Sequence, residues 1–281
     1  MITFLNDRFV EEYDATLQVT DLAIQRGYGV FDFIRTSNNI PLFLADYLER
    51  FYNSAAILHL QPPHTKQALT EIIYELISKN NLGEAGVKMI LTGGYSADSF
   101  TPVAPNLVVM QLPIQIPSPA KFDTGIKVIT YEYQRDLPDT KSINYLMGIW
   151  LLPKIKEQHA DDVLYHRQGI ASELPRANVF MVTHDNKIVT PADNILHGIT
   201  RKKLLQLAAA KYTVEVRDVT IEEIKNAAEV FITSTTKRLL PLTQIDETVI
   251  GTGKAGPVVT LLNAAFITME QKTLKQATAS F

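Results

Sequence analysis

A chain of 281 residues, 46% hydrophobic and 20% charged, is long enough for one large or two medium domains with buried cores. Its formal net charge of −3, without a basic cluster, gives no electrostatic reason to expect nucleic acid. No cysteine is present, which excludes disulfides, thiolate metal sites and thiol catalysis, and the six histidines show no paired ligand spacing, so no metal is expected.

In chain order, Ile2–Leu5 and Arg8–Val10 flank Asn6-Asp7 and predict a hairpin. Tyr28–Thr36 is rich in aromatic and β-branched residues and predicts a strand, which Asn38-Asn39 turns back into Ile40–Phe43. From Asp46 the period becomes helical, with Leu48, Phe51, Ala55 and Leu58 on one face; a second helix is expected from Thr65 to Lys79. Val87–Thr92 and Asn106–Leu112 are strands. Three prolines between Pro113 and Pro119 disfavour both helix and central strand, and a linker is placed at residues 113–122, between domains of residues 1–112 and 123–281. The second half opens with a strand at Ile126–Tyr131. A helix follows from about Asn144, interrupted by Pro153. Strands are expected at Val163–His166, Val179–Thr183, Lys187–Val189, Val214–Val216 and Val230–Thr233, with a tight turn at His184-Asp185-Asn186. Helices are expected at Thr200–Lys211 and from about Pro257. Strands and helices do not alternate regularly, so the expected class is α+β with antiparallel or mixed sheets. No run approaches the roughly 18 apolar residues of a membrane span. The first residues do not form a basic-then-apolar leader, so neither a membrane nor export is expected, and the expectation is a cytoplasmic protein.

Chemistry-bearing residues cluster between Lys141 and Arg201. Lys141 stands where a polar loop meets an apolar helix; it is either a solvated lysine or an amine able to attack an aldehyde. Glu173 precedes a proline and an apolar strand; it is a loop-end carboxylate, or an acid that pairs with a ring nitrogen, with Asn178 and Arg176 around it. Gly198-Ile199-Thr200-Arg201 opens a helix whose free amides suit phosphate, or Thr200 is simply its N-cap. Ser234-Thr235-Thr236 offers hydroxyls and amides at a strand end, and Arg50 lies on the helix after Asp46.

Together these segments resemble the class IV (fold type IV) pyridoxal-phosphate enzymes, a family of branched-chain aminotransferases, D-amino acid aminotransferases and aminodeoxychorismate lyases. The similarity covers Asp21 to about Pro257. Besides the lysine, glutamate, Gly-Ile-Thr-Arg and Ser-Thr-Thr segments it includes Arg26-Gly27-Tyr28-Gly29-Val30-Phe31-Asp32 and Asp46-Tyr47-Leu48-Glu49-Arg50-Phe51. The resemblance implies a smaller N-terminal α/β sandwich-like domain, a larger C-terminal mixed β-sheet or barrel domain with helices, and at least a homodimer. It implies pyridoxal 5′-phosphate as cofactor, bonded to Lys141, which also moves the proton. Glu173 matches the partner of the pyridine nitrogen, with Asn178 beside it. Arg50, the amides of Ile199 and Thr200, Thr235 and Ser234 match the phosphate cup, the arginine gripping phosphate bidentately. Tyr145 matches the tyrosine near the phenolic oxygen in branched-chain aminotransferases, although it follows the lysine by four residues rather than five.

The departures from each subgroup add positive charge. Branched-chain aminotransferases carry a tyrosine before the glycine of the opening strand and small residues after the glutamate; this chain has Arg26 and Leu174-Pro175-Arg176. The lyases follow the lysine with His-Leu-Asn, which is absent here. Arg26, Lys88 and Arg176, with Phe31 and Thr236, form the expected substrate-facing set, Arg26 reaching from a neighbouring subunit. Two or three cations suit an α-carboxylate and a second carboxylate, as in glutamate and 2-oxoglutarate. The expected activity is ping-pong transamination between an amino acid and a 2-oxo acid, D-amino acids ahead of branched-chain L-amino acids. The alternatives are a branched-chain aminotransferase and a lyase releasing pyruvate from aminodeoxychorismate.

Overall fold

In the computed structural model, which describes residues 1–278, the chain divides into two compact units. The first comprises Met1–Gln115, Thr140–Asn144 and the chain from Thr273; the second comprises Ile116–Asp139 and Tyr145–Lys272.

In the first unit, β1 (Ile2–Leu5) and β2 (Arg8–Glu11) form the expected hairpin, with Asn6 in the left-handed region that asparagine tolerates. There follow α1 (Leu22–Arg26), β3 (Gly29–Ser37), β4 (Ile40–Pro41), α2 (Leu44–Ile57), α3 (Lys66–Asn80), β5 (Ala85–Thr92) and β6 (Leu107–Leu112). The strands make one antiparallel sheet in the order β2-β1-β6-β5-β3-β4. Helix α2 packs on β3 and α3 on β1 and β6. Their buried rows are Leu48, Phe51 and Ala55 on α2 and Leu69, Ile73 and Leu76 on α3. The strand expected to run to Phe43 stops at Pro41, because Phe43 takes a left-handed φ of 55° and becomes the N-cap of α2.

The second unit begins with α4 (Pro119–Thr124) and β7 (Ile126–Glu132). The proline-rich segment therefore does not stay irregular to residue 122. Ser118 caps α4 and Pro119 opens it, at a position where the missing N–H is no loss. The helix expected from Asn144 starts at Leu146 and is broken into α5 (Leu146–Trp150) and α6 (Leu152–Glu157) ahead of Pro153. The remaining elements are β8 (Asp162–Arg167), β9 (Ile170–Ala171), β10 (Glu173–Leu174), β11 (Ala177–Val182), β12 (Ile188–Thr190), α7 (Ile199–Ala208), β13 (Val214–Val216), α8 (Ile221–Lys225), β14 (Glu229–Ser234), β15 (Arg238–Ile245), β16 (Thr248–Val249) and α9 (Pro257–Thr278). The sheet is mixed, in the order β13-β12-β11-β14-β15-β7-β8-β9, with β10 added to β11 and β16 to β15. It curls: Ile126, Leu164, Leu174, Val179, Ile232 and Leu242, from six strands, meet in one apolar cluster, the half-barrel of the α+β class.

The units divide after Gln115, within residues 113–122, and two segments of the expected domain of residues 123–281 group with the first unit instead, Thr140–Asn144 and the chain from Thr273. For Thr140–Asn144 the reason is backbone pairing on the edge of β3: Phe31 N donates to Lys141 O at 2.9 Å, Ile143 N donates to Gly29 O at 3.0 Å, and Val30 bridges Ser142. Gly29 is needed there, because a Cβ would lie 2.7 Å from Leu91 O and 3.2 Å from the Ile143 side chain.

Candidate active site

The expected site residues fall into two groups, one in each unit. In the first unit, pairing with β3 orders the backbone of Lys141, whose N–H also donates to Ser54 Oγ of α2 at 3.1 Å. Its ammonium lies 4.5 Å from the centroid of the Phe31 ring, and Lys88 Nζ from β5 lies 5.2 Å from the same centroid. The register explains the sharing. Phe33 pairs with Lys88 and Phe31 with Ile90, so the Lys88 and Phe31 side chains rise on one face of the sheet. Two amines thus flank one aromatic ring.

Arg50 lies on α2. Its Nε and Nη2 donate to Asp32 Oδ2 and Oδ1 at 2.9 and 2.6 Å, and Asp32 is fully buried. A carboxylate of β3 thus holds this guanidinium bidentately. A stiff pair results, with the arginine also 5.3 Å above the Tyr47 ring. Arg26 is the last residue of α1 rather than part of the opening strand. It is exposed, and its guanidinium donates to Ser99 O and Gln25 O at 3.0 and 3.1 Å.

In the second unit, antiparallel pairing sets Glu173 of β10 opposite Asn178 of β11, and Asn178 opposite Thr233 of β14. Glu173 is buried, and its carboxylate is clasped. Arg135 Nη1 donates to Oε1 at 3.0 Å, Leu196 N to Oε2 at 2.9 Å, and Asn178 Nδ2 reaches Oε2 at 3.5 Å. Asn178 Nδ2 also donates to Leu196 O at 2.8 Å, so the loop before α7 is fastened to β11. Thr233 Oγ1, in the same row, is buried without a hydrogen-bond partner.

The start of α7 lies two residues earlier than the Thr200 cap would place it. Gly198 is the N-cap and makes no side-chain cap, so Ile199 and Thr200 are the first two helical residues and their amides have no partner within the helix. Only glycine fits at residue 198: a Cβ there would meet Asn178 Oδ1 at 2.2 Å. Ser234, Thr235 and Thr236 occupy the turn into β15, where Ser234 pairs with Arg238 and Ser234 Oγ accepts from Lys237 N at 3.2 Å. Tyr145 is the half-buried N-cap of α5. Arg176 is exposed in the β10–β11 turn. Its charge acts on Asp162, which burial pushes up, and on Lys237, which burial pushes down; Lys237 Nζ lies 3.8 Å from Asp162 Oδ2.

Asp32, Ser54, Arg135, Leu196 and Thr233 were not expected in these groups. Asp32 carries a signal, a carboxylate at a buried alternate position of an apolar strand. Arg135 carries none, since it lies in the polar loop Gln134-Arg135-Asp136.

Residues 29–245 match the model of the family described as amino-transferase class IV. The chain belongs to the class IV aminotransferases. This aminotransferase, an enzyme by that membership, is 31% identical to a D-alanine aminotransferase of Bacillus licheniformis, over 98% of this chain and all of that one. Its fold is similar to that of the branched-chain amino acid aminotransferase of T.th. with pyridoxamine 5′-phosphate. That comparison has a TM-score of 0.89 and 25% identity, over 95% of this chain and 92% of the other. A Legionella pneumophila structure provisionally named a 4-amino-4-deoxychorismate lyase is similar with a TM-score of 0.84 and 25% identity, over 92% of this chain and 97% of the other. Among the described residues no helix is long and apolar enough to cross a membrane.

Proposed function

We propose that this aminotransferase uses pyridoxal 5′-phosphate to move an amino group between a D-amino acid and a 2-oxo acid, as a cytoplasmic homodimer. The observation that carries the reading is the clasped carboxylate of Glu173 beside the start of α7. An acid for a ring nitrogen, on β10, and an amide cradle for a phosphate ester, at the start of α7, are then joined through one fastened loop. The residues fit such a group: α7 opens with unpartnered amides and no acidic residue in its first turn, and a buried threonine hydroxyl lacks a partner in the Glu173–Asn178–Thr233 row. When bound, pyridoxal phosphate supplies an aldehyde that accepts the amino group and a ring that stores the electron pair released at Cα.

The protein's own residues do the rest. Lys141 Nζ would hold the aldehyde of that group and, when free, would serve as the base and acid that moves the proton at the substrate Cα. Glu173 holds the ring N–H, and Arg135 holds Glu173. Ile199 and Thr200 amides, with Ser234 and Thr235, take the phosphate. Arg50, braced by Asp32, contributes its charge there. Tyr145, the N-cap of α5, would hold the phenolic oxygen of that group. Lys88 and Phe31, beside Lys141, meet the substrate, and Arg176, Arg26 of a neighbouring copy and Thr236 complete a carboxylate-binding set. The D-alanine aminotransferase relative favours a D-amino acid over branched-chain L-amino acids, and the surplus of cations favours a second carboxylate on one of the substrates. The dimer is supported by an apolar row on α5 and α6, where Leu146, Ile149, Trp150 and Leu152 are 55–73% exposed.

The test mixes the cofactor-loaded protein with the D- and L-forms of alanine, glutamate and leucine and follows loss of its visible band. Rapid bleaching by D-glutamate or D-alanine is expected. Rapid bleaching by L-leucine alone would overturn the substrate assignment, and pyruvate release from aminodeoxychorismate without an acceptor would make the protein a lyase. Lys141→Ala is expected to lose both the band and turnover; normal transamination by that variant would sink the role of the lysine.

A further inference from the structure

Arg201 is the third residue of α7, and 6% of its surface is exposed. Its Nη2 donates to Pro191 O at 2.9 Å, while Nε is buried without a hydrogen-bond partner. Among the described residues no carboxylate lies within ion-pair distance of it, and burial alone pushes its guanidinium down from the usual arginine range. A buried cation without a counter-charge is costly, and proteins otherwise pair or neutralise such groups. Its position compounds the cost. The helix dipole already makes this end positive and favours acidic residues there, yet the first half of α7 reads Ile-Thr-Arg-Lys-Lys and carries no acid in its first turn. An anion bound at this helix end would offset that cost.

The Pro191 contact gives the residue a mechanical part as well. Pro191 and Gly198 bound the loop that leads into α7. Glu173 and Asn178 hold the far end of this loop at Leu196, and Arg201 reaches back to hold its near end. The N-cap Gly198 is packed between them, since a Cβ there would lie 2.2 Å from Asn178 Oδ1 and 3.5 Å from Arg201 Cβ.

We propose that Arg201 is a positioning residue of the phosphate site, fixing the loop of residues 191–198 and supplying the buried positive charge that makes the start of α7 select a dianionic ester. This rests on the reading of α7 as the phosphate cradle. Because the buried charge acts on the phosphate, its removal changes discrimination between phosphorylated and unphosphorylated forms of one ligand.

The experiment measures binding of pyridoxal phosphate and of pyridoxal to the cofactor-free full chain by absorbance titration, and takes the ratio of the two Kd values. In the unmodified protein the phosphorylated form binds far more tightly. Arg201→Met lowers the ratio at least tenfold through the phosphorylated ligand, with pyridoxal binding unchanged within about twofold. Arg201→Lys, which keeps the charge, retains most of the ratio. Should Arg201→Met fail to fold, Arg201→Gln, which keeps a donor for the Pro191 carbonyl, carries the same comparison. An unchanged ratio, equal losses for both ligands, or a lysine variant as impaired as the methionine one each overturns the proposal. If the unmodified protein itself fails to prefer the phosphorylated ligand, the cofactor reading fails instead, which separates the two.

Discussion

Arg135 is the residue whose loss reports most directly on the clasp around Glu173. Both side chains are nearly excluded from solvent, 9% and 5% exposed, and they meet at 3.0 Å. Arg135→Met leaves a buried carboxylate with one charged partner fewer, expected to cost about 3 kcal/mol of stability. On the proposed role of Glu173 at the ring nitrogen, it should also lower the rate of the first half-reaction at least tenfold, because the carboxylate loses the partner that orients it. Arg135→Lys restores only part, since one ammonium cannot reproduce the fork of a guanidinium. Thermal unfolding and single-turnover absorbance check the two effects separately. Lys141, Glu173 and the Gly-Ile-Thr-Arg turn were legible in the sequence because each stands where a polar stretch meets an apolar run. Arg135 was not, because its partner lies 38 residues away and nothing local marks the loop. The Arg50 pairing was half-legible: the cation is evident on its helix, but its use by Asp32 depends on how α2 lies over β3.

At the level of elements, length decided what could be read. Helices α2 and α3 span four turns or so, and their buried positions repeat with the helical period, so both were evident. Helix α1 has five residues, too few for a period. It is held instead by Asp21, whose Oδ1 caps Ala23 N at 2.8 Å while Oδ2 accepts from Thr92 and Asn106. Strand β15 was hidden by Pro241. The proline is tolerated because pairing with β7 begins only at Leu242. The end of β15 also carries an acid that joins three elements: Asp246 accepts from Thr130 N and Oγ1 of β7 at 2.8 and 2.9 Å and meets Lys225 of α8 at 3.0 Å. Burial alone would raise this carboxyl, but the Thr130 and Lys225 contacts outweigh it and hold it below the usual aspartate range. A depressed folded value stabilises the protein above the unfolded value and is lost as pH falls through the folded one. Asp246→Asn should therefore lower stability at pH 7 by about 1 kcal/mol, discounted for partial exposure, or roughly 2–4 °C in Tm. The gap should close as pH drops below about 4, the unperturbed aspartate range. Melting curves of both proteins from pH 3 to 7 check it; a gap that widens in acid would contradict the assignment.

For the whole molecule, the first consequence is assembly. The row Leu146, Ile149, Trp150 and Leu152 follows directly on the segment that carries Lys141, so an interface placed there bears on activity. If the proposed dimer forms there, Ile149→Asp combined with Leu152→Asp should convert it to a monomer and lower activity at micromolar concentrations; light scattering on the eluting protein measures the first and the band-bleaching assay the second. An unchanged mass would place the interface elsewhere. The second consequence concerns exchange between relatives. A gene crossover near residue 115 looks natural, since one compact unit ends there. It would nevertheless bring the edge of β3 from one parent and the Lys141 strand from the other, although Gly29, Val30 and Phe31 bond directly to Lys141, Ser142 and Ile143. Functional chimeras must inherit those two short stretches together. Over generations, residues 29–31 and 141–143 should change in concert despite the 110 or so positions between them.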